Sequence, residues 1–573
     1  MGHGLSSASA LPDNMLNQST RELVFIRTVI LLLHSIGPLC AAYTATLLRR
    51  LLLQFFPLRE TDVNSKISQI YHERQWAELA PLQGYCIAET GFYLFFLWYR
   101  THLQREAIHP PLRSKTEREA LFKKIRSGIR DPKKFLKGWF RGAEVEDIGK
   151  DDLREFLLWA FWENRADIGD KAELEELVLE VENMVGHEFK PGRGAAKGLR
   201  LTLDPIEMEC RSLLWYAIIM LVDTMTHIRM LFSGFKYFST LQTSLEVFPP
   251  RPLALATATQ DSPAQQLSYW YREHTSKIRL PVLFLHGIGI GLHAHVEFLR
   301  ELDAALNSKA AADNKVGILA VEVLQISSRL THSIVTSKAF LEQLAQVLDH
   351  HRMNKVVLVS HSYGSVFSTH ILTDPVMSKR ISSTLLIDPV TILLHMPDVA
   401  YNFTVRTPVH ANEWQLWYFA AKDPLIAHTL GRHFFWSENL LWRDRIMELV
   451  GSGVRVTASL ARRDLIVDTE AVAAYLMEGE VPDAVVVQDM TNRESGRKHV
   501  ELDGNHDEKH RDAMRDGSQA WKKRKWTGQG LEVLWWDDLD HAQVFDERGT
   551  RAELIDVIVQ YCKSAKGITR IPY

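Results

Sequence analysis

Cysteine is scarce in this chain, and its few copies are widely separated. The 573 residues include only Cys40, Cys86, Cys210 and Cys562, and none of them forms a CxxC pair. Disulfide-stabilised folds and structural zinc sites need more, and more closely spaced, cysteines. The spacing therefore excludes both classes, and we expect reduced thiols that face the cytosol or are buried.

An excess of basic charge is also lacking. The chain has 67 Lys and Arg against 70 Asp and Glu, which gives a formal charge of -3. Binding to a phosphate backbone depends on positive charge, so we expect no nucleic-acid partner. The composition is 46% hydrophobic and 24% charged, which is typical of globular proteins and excludes a wholly disordered chain.

Long apolar segments are present near the N-terminus. Residues 28–48 carry no charge and are followed by Arg49 and Arg50, so they predict a retained membrane helix rather than a cleaved signal peptide. A second segment, residues 82–99, has aromatic ends but contains Glu89. An isolated carboxylate in lipid is unfavourable, so this segment leaves two interpretations open, spanning and non-spanning.

Basic residues after the second segment predict the topology. Thirteen Lys and Arg lie between residues 100 and 141, and the positive-inside rule places that side in the cytosol. If both segments span, the N-terminus is cytosolic too. The first six residues, MGHGLS, match the pattern for N-myristoylation, with an unmodified tail as the alternative. We expect a membrane-associated protein with membrane lipids among its partners.

The region before residue 266 carries no evident chemistry. Residues 1–110 form the tail with its one or two membrane segments, and residues 111–265 read as a helical accessory region that ends in a Pro-rich linker near 248–266. The apolar run 213–222 is too short to span comfortably, which favours core or interfacial packing.

Strand and helix patterns alternate from residue 280 onward. Residues 280–285, LPVLFL, predict a strand that ends in His286-Gly287-Ile288-Gly289. Residues 316–323 predict a second strand, and residues 340–348 have apolar side chains at helical spacing. This alternation predicts a parallel sheet.

The run from Lys355 to Ser365, KVVLVSHSYGS, has the pattern of a nucleophile elbow. In that motif a strand turns sharply into a helix and presents a serine at its apex, so the residues two before and two after must be small. Here the apex is Ser362, and the small neighbours are Ser360 and Gly364. Ser360 replaces the usual first glycine and is a sterically mild departure.

Residues 280–289 and 356–364 together resemble the α/β-hydrolase fold, and the resemblance extends over roughly residues 270–565. It implies an α/β fold class with a mainly parallel sheet, a serine nucleophile, an acid after a late strand and a histidine after the last strand. The expected core then comprises residues 266–388 and 451–573, with a charged loop at 492–529. Residues 389–450, which are rich in aromatic rings, form a cap insertion.

Candidates for the acid and the base lie at the ends of later strands. Asp464 follows the strand pattern 454–460, and Asp468 and Asp388 are rival acids. His541 follows the strand pattern 531–535 and is the expected general base. Ser362, Asp464 and His541 occur in the chain order that the resemblance implies.

The resemblance implies acyl transfer through a covalent intermediate. His541 would take the proton of Ser362 while Asp464 orients the imidazole. The backbone N–H groups of Tyr363 and Ile288 would hold the oxyanion. No cofactor is implied. Outside the motif, His506 and His510 have helical i, i+4 spacing but no matching third ligand, so no metal site is predicted.

These features predict a serine ester hydrolase acting on a lipophilic ester, because the cap rings could line an apolar pocket. Two alternatives remain. His541 and Asp546 fit an HxxxxD pattern that resembles membrane-associated acyltransferases of this fold, whose acceptor would be a lysolipid or an alcohol. A non-catalytic membrane adaptor would keep the fold without the chemistry.

Overall fold

The computed structural model describes residues 18–55, 65–163, 170–257, 260–478, 522 and 524–563. The N-myristoylation pattern lies outside the described residues. So does most of the charged loop 492–529, including His506 and His510.

A nine-stranded sheet forms the centre of the molecule. Its strands are β1 Lys236–Ser239, β2 Gln260–Asp261, β3 Ser268–Arg272, β4 Val282–Leu285, β5 Ile318–Glu322, β6 Val356–His361, β7 Ile381–Ile387, β8 Arg455–Ala461 and β9 Leu531–Trp536. They are arranged in the order β2-β1-β3-β5-β4-β6-β7-β8-β9. The six strands from β5 to β9 in this order are all parallel, and β3 is antiparallel to its neighbours β1 and β5. The predicted mainly parallel sheet is confirmed.

The helices flank this sheet and build the N-terminal region. They are α1 Thr20–Phe55, α2 Ser65–Leu103, α3 Lys115–Gly128, α4 Pro132–Trp139, α5 Lys150–Trp162, α6 Lys171–Val185, α7 Leu213–Phe232, α8 Leu241–Leu245, α9 Pro252–Thr257, α10 Val296–Asn307, α11 Ser337–His350, α12 Gly364–Thr373, α13 Asp398–Ala400, α14 Ala411–Leu416, α15 Pro424–His433, α16 Arg443–Gly451, α17 Thr469–Glu478 and α18 Arg548–Cys562.

The central strands are apolar on both faces because helices cover both sides of the sheet. In β4, Leu283 and Leu285 join a core with α11 and α12, whereas Val282 and Phe284 join a core with α10 and α18. Successive strand residues point to opposite faces. A continuous apolar run such as LPVLFL therefore supplies two cores at once.

The sheet begins earlier than the expected core boundary at residue 266. Strands β1 and β2 precede that residue and extend one edge of the sheet. The Pro-rich stretch is fixed to the domain because Arg251 is buried between two carboxylates, with Nε 2.9 Å from Asp223 Oδ2 and Nη1 2.8 Å from Glu322 Oε2. A buried cation needs such partners, so this stretch does not act as a free linker.

Two long helices form the N-terminal region. Helices α1 and α2 pack side by side, with 3.0 Å between the hydroxyls of Thr44 and Thr90. Among the described helices, α1 over Thr20–Leu52 and α7 are long and apolar enough to cross a membrane. The segment 82–99 lies within α2, and Glu89 accepts a hydrogen bond from the N–H of Leu213 at 2.8 Å. A backbone N–H of the same chain thus hydrogen-bonds the carboxylate of Glu89, so this carboxylate is not isolated.

Candidate active site

A sharp turn between β6 and α12 carries Ser362. The residue has a φ of 51°, and its N–H donates to the carbonyl of Ile387 at 2.9 Å. A Cβ on Gly364 would lie 2.3 Å from the carbonyl oxygen of Leu285, so only glycine fits at that position. Ser360 fits as a fully buried residue of β6. The expected elbow is therefore formed, and its substituted first position is accommodated.

The structure brings the three expected side chains into one hydrogen-bonded chain. His541 Nε2 lies 2.8 Å from Ser362 Oγ, and His541 Nδ1 lies 2.6 Å from Asp464 Oδ2. Ser362, Asp464 and His541 follow the carboxyl ends of β6, β8 and β9, which meet at one edge of the parallel sheet. The other oxygen of Asp464 accepts from the N–H groups of Ile466 and Val467 at 2.8 and 2.9 Å, which fixes the carboxylate.

The two rival acids have other contacts. Asp468 accepts from the N–H of Ala471 at 3.0 Å in the first turn of α17. Asp388 follows β7, and its Oδ2 accepts from the N–H of Ala542 at 2.9 Å. It also offers an oxygen within 4.8 Å of ligand atoms of both Asp464 and His541. Asp464 therefore hydrogen-bonds the imidazole of His541 directly, and Asp388 is a second carboxylate close to it.

A metal ion at this cluster would have to compete with the hydrogen bonds. Asp388, Asp464 and His541 each offer one ligand atom within 4.8 Å of the others. However, the two ring nitrogens of His541 already contact Ser362 and Asp464. A metal bound to His541 would have to displace one of these contacts, so the arrangement fits proton transfer better than metal ligation.

A further carboxylate, Asp540, ties the site loops to the cap. Its Oδ1 accepts from the N–H groups of His541 at 2.7 Å and Leu465 at 2.9 Å, and its Oδ2 accepts from the side-chain amide of Asn412 at 2.7 Å. Sequence reasoning did not identify this role. The acidic run before His541 was the available signal, but it could not show which acid contacts the cap.

Three carboxylates set the charge of His541. Burial alone lowers the pKa of His541, but the charge and hydrogen bond of Asp464, followed by the charges of Asp388 and Asp540, raise it to about 9. Burial raises the pKa of Asp388 to about 7, with Asp464 adding to the increase and His541 opposing it. The site therefore favours the imidazolium, the form that His541 takes after accepting a proton.

Neutral histidines support the back of the elbow. His361 Nδ1 lies 3.1 Å from His295 Nε2, and both side chains are buried. Burial lowers the pKa of His295 to about 3 and that of His361 well below its ordinary value. His286 Nε2 accepts from the N–H of Val323 at 2.9 Å and anchors the start of the glycine turn. These rings position the turn without adding charge.

Ile288 and Tyr363, the two expected oxyanion donors, line the same cavity as Ser362. Tyr363 directly precedes α12, so its N–H lies at a helix N-terminus, where negative charge is favoured. The glycine turn lies against the serine, since a Cβ on Gly287 would be 2.7 Å from Ser362 Cβ. Both residues therefore adjoin the serine, and their role as oxyanion donors stays a prediction.

The cavity next to Ser362 is apolar and narrow. Its walls are formed by Leu201, Ile288, Ser362, Tyr363, Val390, Val399, Ala400, Phe403, Thr404, Leu430, Phe434 and Ile466. The cavity volume is about 30 Å³. Phe403 and Phe434 come from the cap, whereas the cap residues Trp414 and Trp417 pack with α1. The cap rings are thus divided between the cavity and the N-terminal helix.

Comparisons with known proteins give only remote similarities. No family model and no curated protein sequence matches the chain. Solved structures that resemble it include a carboxylesterase of Nitrososphaera gargenis, with 13% identity over 52% of this chain and 96% of that one and a TM-score of 0.29. A membrane phospholipase A has 11% identity over 69% of this chain and 100% of that one, with a TM-score of 0.35. A naproxen esterase from Bacillus subtilis has 12% identity over 52% of this chain and 87% of that one, with a TM-score of 0.28.

The fold assignment follows from the molecule itself. The strand order, the elbow between β6 and α12, and the residues that follow β8 and β9 together define the α/β-hydrolase fold. The chain carries this fold together with an N-terminal helical region and a helical cap.

Proposed function

We propose that the protein is a membrane-associated serine hydrolase that cleaves an ester of a lipophilic acid or alcohol. The observation that carries this proposal is the hydrogen-bonded chain from Ser362 through His541 to Asp464, which opens on an apolar cavity. A serine paired with a base that is itself oriented by a carboxylate is the arrangement that nucleophilic acyl transfer needs.

The reaction follows from these contacts. As Ser362 Oγ attacks the ester carbonyl, His541 Nε2 takes its proton, and Asp464 stabilises the imidazolium. The oxyanion lies against the N–H groups of Tyr363 and Ile288, each contributing about 3 kcal/mol to transition-state stabilisation. His541 then protonates the leaving alcohol. Water, deprotonated by His541, attacks the acyl-enzyme. His541 then returns this proton to Ser362 Oγ as the bond from Oγ to the acyl carbon breaks, and the acid is released.

The cavity supports a lipophilic substrate. Its wall residues carry no formal charge, and Phe403, Leu430 and Phe434 supply large apolar surfaces near Ser362. Apolar side chains stabilise an alkyl or acyl chain in proportion to the area that they cover. Because the open space is only about 30 Å³, about that of two water molecules, a long chain requires the walls to move apart.

Hydrolysis is preferred here over transfer to a lysolipid or alcohol. The transfer alternative relied on Asp546 as a partner of His541 in the HxxxxD pattern. Both ring nitrogens of His541 are engaged by Ser362 and Asp464, so Asp546 is not the carboxylate that binds this imidazole. The Ser-His-Asp chain serves either acceptor, so product analysis with added lysolipid separates the two.

The test is ester hydrolysis by the full-length protein in detergent. We expect wild type to cleave p-nitrophenyl esters between acetyl and palmitoyl, and Ser362→Ala to lose activity by about 10³-fold or more. The matched control is Ser368→Ala, a buried serine of α12, which should retain activity. Equal activity in Ser362→Ala and wild type would contradict the proposal, and no activity in any of the three proteins would favour the adaptor.

The proposed location is a membrane, with the hydrolase domain on the cytosolic side. The apolar length of α1 and the thirteen basic residues between 100 and 141 support it. Full-length protein should pellet with membranes at high salt and require detergent for release. Protease added to sealed cytosol-side-out vesicles should digest the domain. Release by salt alone, or a protected domain, would contradict this placement.

A further inference from the structure

Large exposed apolar side chains occupy one face of α7. They are Leu214, Ile218, Leu221, Met225, Ile228 and Phe232, with exposed fractions of 45, 41, 59, 50, 39 and 90%. Their spacing of three or four residues places them in one stripe, which we call the outward face of α7. It runs for about 27 Å at 1.5 Å per residue. Soluble proteins rarely expose a continuous apolar surface of this length.

The opposite face of α7 is fixed to the hydrolase domain. Asp223 is paired with the buried cations Arg251 and Arg329, and His227 Nε2 lies 2.6 Å from the hydroxyl of Thr257. These contacts pair buried charges, so separating α7 from the domain would leave charged groups without their partners, which is strongly unfavourable. The helix therefore cannot leave the domain to cross a bilayer alone, and its outward face remains exposed on the domain surface.

The first turns of α7 contact the apolar part of α2. The N–H of Leu213, the first residue of α7, donates to Glu89 in the middle of the apolar part of α2, and the rings of Tyr216 and Phe92 are 5.6 Å apart. Helices α1 and α2 also expose large apolar groups, namely Leu31, Leu32, Leu39, Leu82, Ile87, Leu94 and Trp98. Beyond α7, Leu241 and Leu245 of α8 are 68 and 65% exposed.

We infer that the outward face of α7 contacts the acyl chains of the bilayer that holds α1 and α2, so that the hydrolase domain lies partly immersed in one leaflet. The inference rests on the proposed membrane association. A lipid surface is the occupant that fits, because α7 packs against α1 and α2, which expose large apolar groups of their own, and its outward face presents six more. A helix with one apolar face and one fixed polar face is suited to this interfacial position.

The same contacts bring the active site close to the bilayer. Trp215, Tyr216 and Ile219 of α7 form a cluster with Leu33 of α1, Phe92 of α2, and Ile290 of the glycine turn. Ile290 is two residues from the expected oxyanion donor Ile288. Ile290 and the helices α1 and α2 thus contact the same cluster of α7 side chains. The substrate class that suits this position is an ester resident in the bilayer, which reaches Ser362 laterally.

Cysteine accessibility tests the contact independently of activity. In phosphatidylcholine nanodiscs, Leu221→Cys in the full-length protein should react with a water-soluble maleimide at least tenfold more slowly than Val376→Cys. Val376 is 67% exposed before β7, far along the chain from α7. Denaturation in SDS should make both sites react. The parent protein, whose native cysteines are buried or half-buried, gives the background. Equal rates in nanodiscs would overturn the contact.

Activity tests lateral access. The double variant Leu221→Glu/Met225→Glu replaces two exposed residues outside the catalytic machinery. We expect it to keep its rate on soluble p-nitrophenyl acetate within about twofold and to lose at least tenfold on p-nitrophenyl palmitate in phosphatidylcholine vesicles. The control Val376→Glu should leave both rates unchanged. A protected Leu221→Cys with an unchanged vesicle rate in the double variant would overturn lateral access. If the wild type cleaves neither ester, the proposed hydrolase function fails while the labelling result stands.

Discussion

Removing the second carboxylate beside His541 should move the pH dependence of catalysis to lower pH. In Asp388→Asn the amide oxygen can still accept the N–H of Ala542, so the change removes charge and keeps the hydrogen bond. His541 must be neutral to act as a base, and therefore kcat/KM rises with pH through its pKa. For wild type, the raised pKa of about 9 predicts a midpoint well above 6.5.

The size of the shift follows from the geometry. Ligand atoms of Asp388 and His541 lie within 4.8 Å of each other. At an effective dielectric constant of about 20, two unit charges at this distance interact by about 3.5 kcal/mol, which corresponds to about 2.5 pKa units. Asp388, whose pKa is about 7, is ionised at the wild-type midpoint near pH 9, so its charge is present where His541 titrates. We expect the midpoint to fall by about 2 units, because the two groups titrate as a coupled pair.

The assay is initial-rate hydrolysis of a soluble ester from pH 5 to 10 with non-enzymatic hydrolysis subtracted. The control is Asp398→Asn, a half-buried carboxyl whose pKa burial also raises but which does not belong to the cluster around His541. Its profile should match that of wild type. An unchanged or higher midpoint in folded Asp388→Asn would refute the electrostatic account of the site.

Two further substitutions test the elbow and the ion-pair network. Gly364→Ala forces a Cβ against the carbonyl of Leu285, so activity should fall at least tenfold, whereas Gly549→Ala, which has open space around it, should be neutral in both activity and thermal unfolding. Equal behaviour of the two variants would contradict the tight packing of the elbow. Arg251→Met leaves the buried carboxylate of Glu322 without its cation, while Asp223 keeps Arg329. It should lower the free energy of unfolding by about 3–5 kcal/mol, measured by urea titration. Arg300→Met, which breaks an exposed pair, should change it by less than about 1 kcal/mol, and a similar loss in both would contradict the assigned role of Arg251.

The sequence was sufficient for the sheet and for the order of the site residues because both leave local signals. A strand buried on both faces needs a continuous apolar run, and the elbow needs small residues on either side of Ser362. The strand patterns at 280–285, 454–460 and 531–535 overlap β4, β8 and β9 to within about two residues at each end. The early edge strands β1 and β2 were not anticipated, because they are short and lie among helix and loop patterns.

Features that depend on distant contacts were not predictable. Whether Asp464 or Asp388 binds His541 is decided by where two neighbouring strands end relative to each other, which a single sequence does not record. The contact of Asp540 with Asn412 joins positions 128 residues apart. Likewise, the partner of Glu89 is the start of α7, so its effect on membrane placement became visible only in the packed structure.

The central claim is that Ser362 is a nucleophile activated by His541. The most direct measurement is mass spectrometric mapping of the adduct formed by a fluorophosphonate with the full-length protein. We predict one modified site, Ser362, with the adduct absent in Ser362→Ala and formed much more slowly in His541→Gln. An adduct at another serine, or a folded wild-type protein that forms none, would contradict the claim.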